Sequence, residues 1–243
     1  MIDDRQNIAD FPSGLRATLP NNRAENKQLS LAMILHDLRA PMTTIMLALS
    51  HLQRLELPKE SQRQIFLALS EAQRFRVTLD ETLLFFSASK LQLCPLELNG
   101  AIEETLNLIP SIPDAKGREI RWVPTCGQVW LRGDRNKLKQ VFINLLTNAC
   151  QAVKPGEVIT WSVELDSTSK HVSIRLHNGG NPIAPEVLSQ LTKPFFTTKP
   201  NGTGLGLAIV DEIVRAHSGE MKIESSTTFG TTVSVRLPLL RQS

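Results

Sequence analysis

Tyrosine is absent from this 243-residue chain, and aromatic residues together make up only 5% of it. That scarcity argues against RNA-binding sheets and single-strand stacking platforms, which present aromatic rings to bases. Cysteine is sparse too. Cys94, Cys126 and Cys150 are odd in number and dispersed, so they form neither a disulfide framework nor a paired-cysteine metal knuckle and read as ordinary reduced thiols. Charge of one sign is not in excess: 27 Lys and Arg face 24 Asp and Glu, a net +3, which creates no pull towards nucleic acid or anionic lipid. The most apolar stretch, Leu29 to Leu52, is interrupted by His36, Asp37, Arg39 and His51, so it is no membrane span. Met1-Ile2-Asp3-Asp4-Arg5 lacks the basic start and apolar run of a signal peptide. A cytoplasmic protein without a membrane span or a nucleic-acid partner is expected.

What the chain does have is enough apolar mass, 41%, for one or two cored domains. Residues 1–26 are polar and broken by Pro12, Gly14 and Pro20, and read as a flexible arm. Leu31, Leu35, Leu38, Met42, Ile45, Leu49 and Leu52 then recur at alternating spacings of four and three, the seam of a coiled-coil-like helix. Pro58 is expected to end it. A second seam runs through Ile65, Ala68, Ala72, Phe75, Leu79, Thr82 and Phe86. Two such helices form a hairpin over residues 27–92. A lone hairpin leaves its seams exposed, so two chains are expected to pair as a dimeric four-helix bundle. Over residues 95–243 the texture becomes mixed. Strand-like runs at 120–124, 129–132, 158–165, 172–176, 221–224 and 231–237 alternate with helical stretches near 99–109, 134–153, 184–191 and 205–217, which predicts an α/β domain.

Three segments carry candidate chemistry. In His36-Asp37-Leu38-Arg39-Ala40-Pro41, His36 follows the seam residue Leu35 and lies on the helix flank. Asp37 can orient the imidazole and accept its proton, leaving the other ring nitrogen to attack. Pro41 has no N–H for the Asp37 carbonyl, so a bend is expected just past the histidine. A solvated helical histidine beside an aspartate is the plainer reading of the hexapeptide alone. In Asn144-Leu145-Leu146-Thr147-Asn148-Ala149 the two asparagines share a helix face. Their amide oxygens suit Mg²⁺, or they simply hydrogen-bond within a packed helix. Lys193-Pro194-Phe195-Phe196-Thr197-Thr198-Lys199 leads into Gly202-Thr203-Gly204-Leu205-Gly206-Leu207. Glycines that admit backbone N–H groups to an anion, a lysine on the approach and a helix start behind them suit phosphate. A lone glycine loop is weak on its own.

Taken together, these segments resemble the transmitter region of two-component sensor histidine kinases. His36–Pro41 matches that family's H box, Asn144–Ala149 its N box, Lys193–Lys199 its F box, Gly202–Leu207 its G2 box, and Gly230-Thr231 its last glycine motif. They stand in the family's order and span most of the chain. The resemblance implies a dimerisation and phosphoacceptor hairpin followed by an α/β sandwich of the Bergerat ATP-binding type, shared with gyrase, Hsp90 and MutL. It implies ATP and Mg²⁺ as cofactors, with Asn148 holding the metal and Asn144 supporting it. Gly202, Thr203, Gly204, Leu205, Gly206 and Leu207, with Lys199 and Thr231, would line the nucleotide site under a lid over about 184–203. His36 would attack the γ-phosphate with Asp37 as base, then pass the phosphoryl group to an aspartate of a response-regulator receiver domain.

Two departures stand out. The family's G1 box opens with an aspartate that reads adenine. The matching segment here is Leu176-His177-Asn178-Gly179-Gly180-Asn181-Pro182-Ile183, with altered spacing around Gly180–Pro182. It sets His177 in the aspartate's place and predicts weak or unusual nucleotide binding unless Asn178, beside Gly179, or a water reads the base. Ala40 replaces the Thr or Asn that many members use to position water, which predicts little phosphatase activity. About 26 residues before the hairpin are too few for a sensor, so the signal is expected from a separate sensor protein or from a segment that this chain lacks. The rival readings are a scaffold or phosphotransfer module with a degenerate ATP site, which His177 favours, and a conformational ATPase.

Overall fold

The computed structural model describes residues 22–86, 91–166, 170–200 and 202–240, with side chains from residue 33. Most of the segment read as an arm, residues 1–21, lies outside the described residues. Helix α1 spans Asn22–Leu52 and so begins inside that segment. It runs unbroken through Pro41, with no interruption of the helix at the expected bend. Helix α2 spans Lys59–Phe86. Pro58 does not end α1, which stops at Leu52. It introduces α2 instead, where its carbonyl accepts from the Gln62 N–H at 3.0 Å and its own missing N–H costs nothing.

The two helices pack as a hairpin, pinned by Arg39, whose Nε and Nη2 donate to Asp80 Oδ1 at 2.9 and 2.7 Å. Within one chain the seam is only partly covered. Ala72 and Leu79 are buried, while Leu38, Ile45 and Leu52 remain 41%, 49% and 40% exposed.

The second unit follows as β1 (Cys94–Glu97), α3 (Leu98–Leu106), β2 (Glu119–Val123), β3 (Trp130–Gly133), α4 (Arg135–Ala152), β4 (Val158–Leu165), β5 (His171–Asn178), α5 (Pro185–Leu188), α6 (Gly206–Ala216), β6 (Glu220–Ser226) and β7 (Gly230–Pro238). The main sheet has the order β2-β4-β5-β7-β6, with β2 and β4 parallel and the other neighbours antiparallel. The short β1-β3 ladder stands apart. The expected helix at 184–191 is a single turn, α5, and the one expected at 99–109 stops at Leu106 before two 3₁₀ turns.

The sheet's inner face packs against the helices. Trp161 stands edge-on to Trp122 and Phe142, with ring centroids 6.1 and 5.6 Å apart, a geometry that suits aromatic quadrupoles. All three cysteines are free, and Cys150 is buried, where burial pushes its thiol pKa up.

One polar cluster ties the units together. Asp134 caps α4 by accepting from the N–H groups of Asn136 and Lys137 at 3.0 and 3.1 Å. It also accepts from the N–H of Gln92, which lies between the hairpin and the sheet domain. Burial would raise this carboxyl, but the three N–H groups and His217 together hold it below its usual value. His217, buried at the end of α6, accepts the Asp134 N–H on Nε2 at 2.9 Å and donates from Nδ1 to the Ile213 carbonyl at 2.7 Å. Acceptance on Nε2 requires the neutral ring, and burial lowers the His217 pKa, against the opposing pull of the Ile213 carbonyl and the Asp134 carboxylate.

Stability contributed by a histidine with a lowered folded pKa is fully present above its unfolded value, about 6.5, and is lost as pH falls through the folded one. Urea unfolding at pH 7.5 and pH 5.5 should therefore show lower stability at the acid end. His217→Ala should cost about 2 kcal/mol at pH 7.5 and remove part of that pH dependence. An unchanged pH dependence in His217→Ala would assign it to other groups.

Candidate nucleotide site and phosphoacceptor helix

Helix α4, strands β5–β7 and the loop before α6 enclose a cavity of about 590 Å³, within the range of small-molecule sites. Asn144, Asn148 and Gln151 line it from α4, and Leu176, Asn178, Ile223, Thr231 and Val233 from the strands. Lys199, Gly202, Thr203, Gly204, Gly206 and Leu207 close one side, and Val77 and Glu81 of α2 complete the wall.

Local chemistry explains the arrangement. Asn144 donates to the Gly206 carbonyl at 3.2 Å and so holds the first turn of α6. Gly204 adopts φ +70°, and a Cβ there would meet the Phe195 carbonyl carbon at 2.4 Å, so no side chain fits where the loop folds back. Phe195 shares the left-handed region at φ 67°, and its N–H donates to the Gly204 carbonyl at 3.0 Å. Ser225 Oγ bonds Thr231 Oγ1 at 2.8 Å and receives the Ile183 N–H at 3.0 Å, which fastens the start of the segment after β5 to the sheet.

Two contacts fill the cavity's polar end. Lys199 Nζ donates to Asn148 Oδ1 at 3.0 Å and to Gln151 Oε1. A cation thus already sits on the Asn148 oxygen, so that oxygen is oriented to receive positive charge. Crowding by the protein lowers the Lys199 pKa, and Asp114 opposes the shift. Across the cavity, the Thr203 hydroxyl donates to Glu81 Oε2. Burial raises the Glu81 carboxyl, and the Thr203 bond opposes it.

The G1 reading needs correction. Strand β5 alternates, so Leu176 and Asn178 are buried and line the cavity while His177 faces the other side of the sheet. There His177 Nδ1 meets Thr232 Oγ1 at 3.0 Å, opposite its register partner. Asn178, one residue beyond His177, is therefore the polar side chain that this segment turns into the cavity. Its Nδ2 donates to the Gly179 carbonyl at 2.6 Å. A carbonyl only accepts, so the amide orientation is set by chemistry, and Oδ1 is left as an acceptor for a ligand amine. Gly179 does not line the cavity. Leu205 does not either: its side chain is fully buried in the core.

His36 and Asp37 stand elsewhere. Their side chains are 75% and 82% exposed on α1, with His36 Nδ1 3.7 Å from Asp37 Oδ1. That is within ion-pair reach and too long for a hydrogen bond. It leaves Nε2 facing solvent as the free nitrogen. Glu81, Val77 and Asp114 were not anticipated as wall residues. No local pattern marks them, since they reach the cavity through tertiary packing. Gln151 was findable, three residues beyond Asn148 on the same helix face.

A helical hairpin bearing an exposed histidine, joined to a sandwich whose asparagines and glycine loop line one cavity, defines a phosphoacceptor module attached to a nucleotide-binding one. The sequence comparisons agree. The profile of the "His Kinase A (phospho-acceptor) domain" matches residues 26–90, and that of the "Histidine kinase-, DNA gyrase B-, and HSP90-like ATPase" matches residues 133–241. This chain belongs to the two-component sensor histidine kinases, as their transmitter region.

Sporulation kinase C of Bacillus subtilis is 34% identical over 90% of this chain and 52% of its own length. The sensor histidine kinase ZraS of Salmonella typhimurium is 34% identical over 86% of this chain and 45% of its own. The chain thus spans about half the length of these relatives. Among solved structures, full-length ShkA in complex with AMPPNP shares the fold at TM-score 0.74 and 20% identity, over 89% of this chain and 47% of that one. Histidine kinase ThkA in complex with the response regulator protein TrrA aligns at TM-score 0.65 and 25% identity, over 90% of this chain and 65% of that one. Among the described residues, no helix is long and apolar enough to cross a membrane.

Proposed function

We propose that this chain uses ATP to phosphorylate His36 and then hands the phosphoryl group to an aspartate of a response-regulator receiver domain. The observation that carries the reading is an exposed histidine with a free Nε2 in the same chain as a cavity whose polar end already pairs a cation with Asn148. His36 Nε2 would attack the γ-phosphorus, the bond to the bridging oxygen would break, and ADP would leave. Asp37, on the Nδ1 side, would hold the ring and take its proton. Asn148 would hold Mg²⁺, which neutralises charge on the phosphates. Lys199, Gly202, Gly204 and Gly206 would cradle the phosphates, Thr231 and Leu207 would complete the wall, and Asn178 Oδ1 would accept from the adenine amine. In such transfers positioning and charge neutralisation supply most of the rate.

Among the described residues of α1 none lines the cavity, so the γ-phosphate would reach His36 when the two units change their relative position or when a second copy supplies the histidine. The uncovered seam of the hairpin favours that second copy: Leu38, Ile45 and Leu52 would be buried in a homodimeric four-helix bundle. A receiver domain would dock on the same bundle, and the reaction would take place in the cytoplasm.

The test is incubation with γ-labelled ATP and Mg²⁺. An acid-labile, alkali-stable label that moves to an added receiver domain is expected. A label stable to acid, or phosphate release with none on the protein, would overturn the proposal. The alternative, a scaffold with a degenerate ATP site, drew its support from His177, which lies off the cavity.

Ala40 lacks any group to position water. A phosphorylated receiver domain should therefore decay at the same rate, within about twofold, with or without this chain. Clear acceleration, followed as loss of phosphorylated receiver over time, would show that another residue positions water.

A further inference from the structure

We propose that Glu81 is an internal stand-in for nucleotide phosphate, holding the glycine loop until ATP displaces helix α2. The inference rests on the ATP site proposed above and concerns its regulation.

Glu81 belongs to the hairpin, yet it lines the nucleotide cavity. Its carboxylate takes the hydroxyl of Thr203, the residue between Gly202 and Gly204 in the loop that would cradle phosphate. A carboxylate oxygen and a phosphate oxygen are the same kind of acceptor for that hydroxyl, so only one of them can hold it. The two are also alike in charge. A polyphosphate placed in this cavity would face a partly buried carboxylate across low-dielectric space, where repulsion is strong. None of the ion pairs among the described residues offsets Glu81.

The opposite end of the cavity carries the complementary substitution, with Lys199 Nζ on the Asn148 oxygen. The protein therefore sets its own anion on the glycine loop and its own cation on Asn148. Occupation by ATP and Mg²⁺ must displace both. Lys199 sits on the loop approach and can turn onto the phosphates. Glu81 shares α2 with Val77, which also lines the cavity, so its departure is read as α2 parting from the loop. Asp80, the preceding residue, ties α2 to α1 through Arg39. The same turn of helix therefore fixes the phosphoacceptor helix on one side and the nucleotide loop on the other.

The test measures AMPPNP binding with Mg²⁺ by calorimetry, beside hydrogen exchange of residues 73–86. Removing the competing anion raises the binding-competent fraction, and apparent affinity rises in proportion. Glu81→Ala should bind AMPPNP about tenfold more tightly than wild type, the worth of one charge-assisted hydrogen bond. Glu81→Gln should show a smaller gain, and Glu71→Ala, on an exposed part of the same helix, none. In the wild type, AMPPNP with Mg²⁺ should speed exchange across 73–86, a readout that needs no variant to fold. Equal affinities for wild type and Glu81→Ala would overturn the stand-in and leave the ATP site intact. A tighter variant without any change in wild-type exchange on AMPPNP binding would overturn the displacement of α2. Absence of AMPPNP binding in every protein would sink the ATP site and this inference with it.

Discussion

His36→Gln should retain AMPPNP affinity within about twofold of wild type and lose the acid-labile label to background. The two readouts separate because the histidine and the cavity belong to different parts of the fold: no described residue of α1 lines the cavity, and the His36 side chain is exposed. Gln keeps the side chain's size and hydrogen bonding but offers no nucleophilic nitrogen. Losing the acceptor removes the reaction itself, so the effect is total where a positioning residue would leave residual turnover. Asp37→Asn serves as the graded companion. It keeps a side chain near Nδ1 but can no longer take a proton, and a fall of about 10²-fold in labelling rate is expected for a lost base. Label surviving in His36→Gln would place the phosphoacceptor elsewhere.

Asn178→Leu should weaken AMPPNP binding by about 10- to 100-fold, whereas His177→Leu should leave it within about twofold. A neutral hydrogen bond lost in a buried wall, with the ligand's amine left unpaired, costs roughly 1–3 kcal/mol, and each 1.4 kcal/mol is tenfold in affinity. Asn178 is buried at the cavity with Oδ1 left to accept, while His177 bonds Thr232 on the opposite face of the sheet. His177→Asp, the exchange that the sequence alone recommends, should bring no gain. Calorimetry on the four proteins decides the point, and the reverse ranking would return His177 to the site.

The His177 misreading shows where sequence reasoning stopped. The motif's residue types were plain, but the face each residue presents depends on strand register, and a one-residue shift inverts it. Elsewhere the period of the pattern sufficed. Val158–Leu165 was expected and found with the same ends, because a long central strand carries a clean apolar alternation. The glycine loop and the start of α6 were legible because glycine and a following apolar run mark a helix start. Strand β1 went unseen: it has four residues, includes Pro95, and pairs only with β3, so it lacks the length that makes a strand readable. Glu81 was invisible for another reason. Its partner Thr203 lies 122 residues away, and nothing local to either residue announces a contact across two units.

The rims of the main sheet bear on how copies of this chain can associate. Strand β2 forms one rim and carries Glu119 and Arg121, paired at 3.2 Å; β6 forms the other and carries Glu220, Lys222 and Glu224, the last two paired at 2.7 Å. Charged side chains along both rims discourage a foreign strand from adding to the ladder. Rim-to-rim stacking of sheets is therefore closed off as a route to fibres or unspecific clusters. Crowding a cell with this protein should leave its sandwiches dispersed, and any association falls to the helices, where the number of copies is finite.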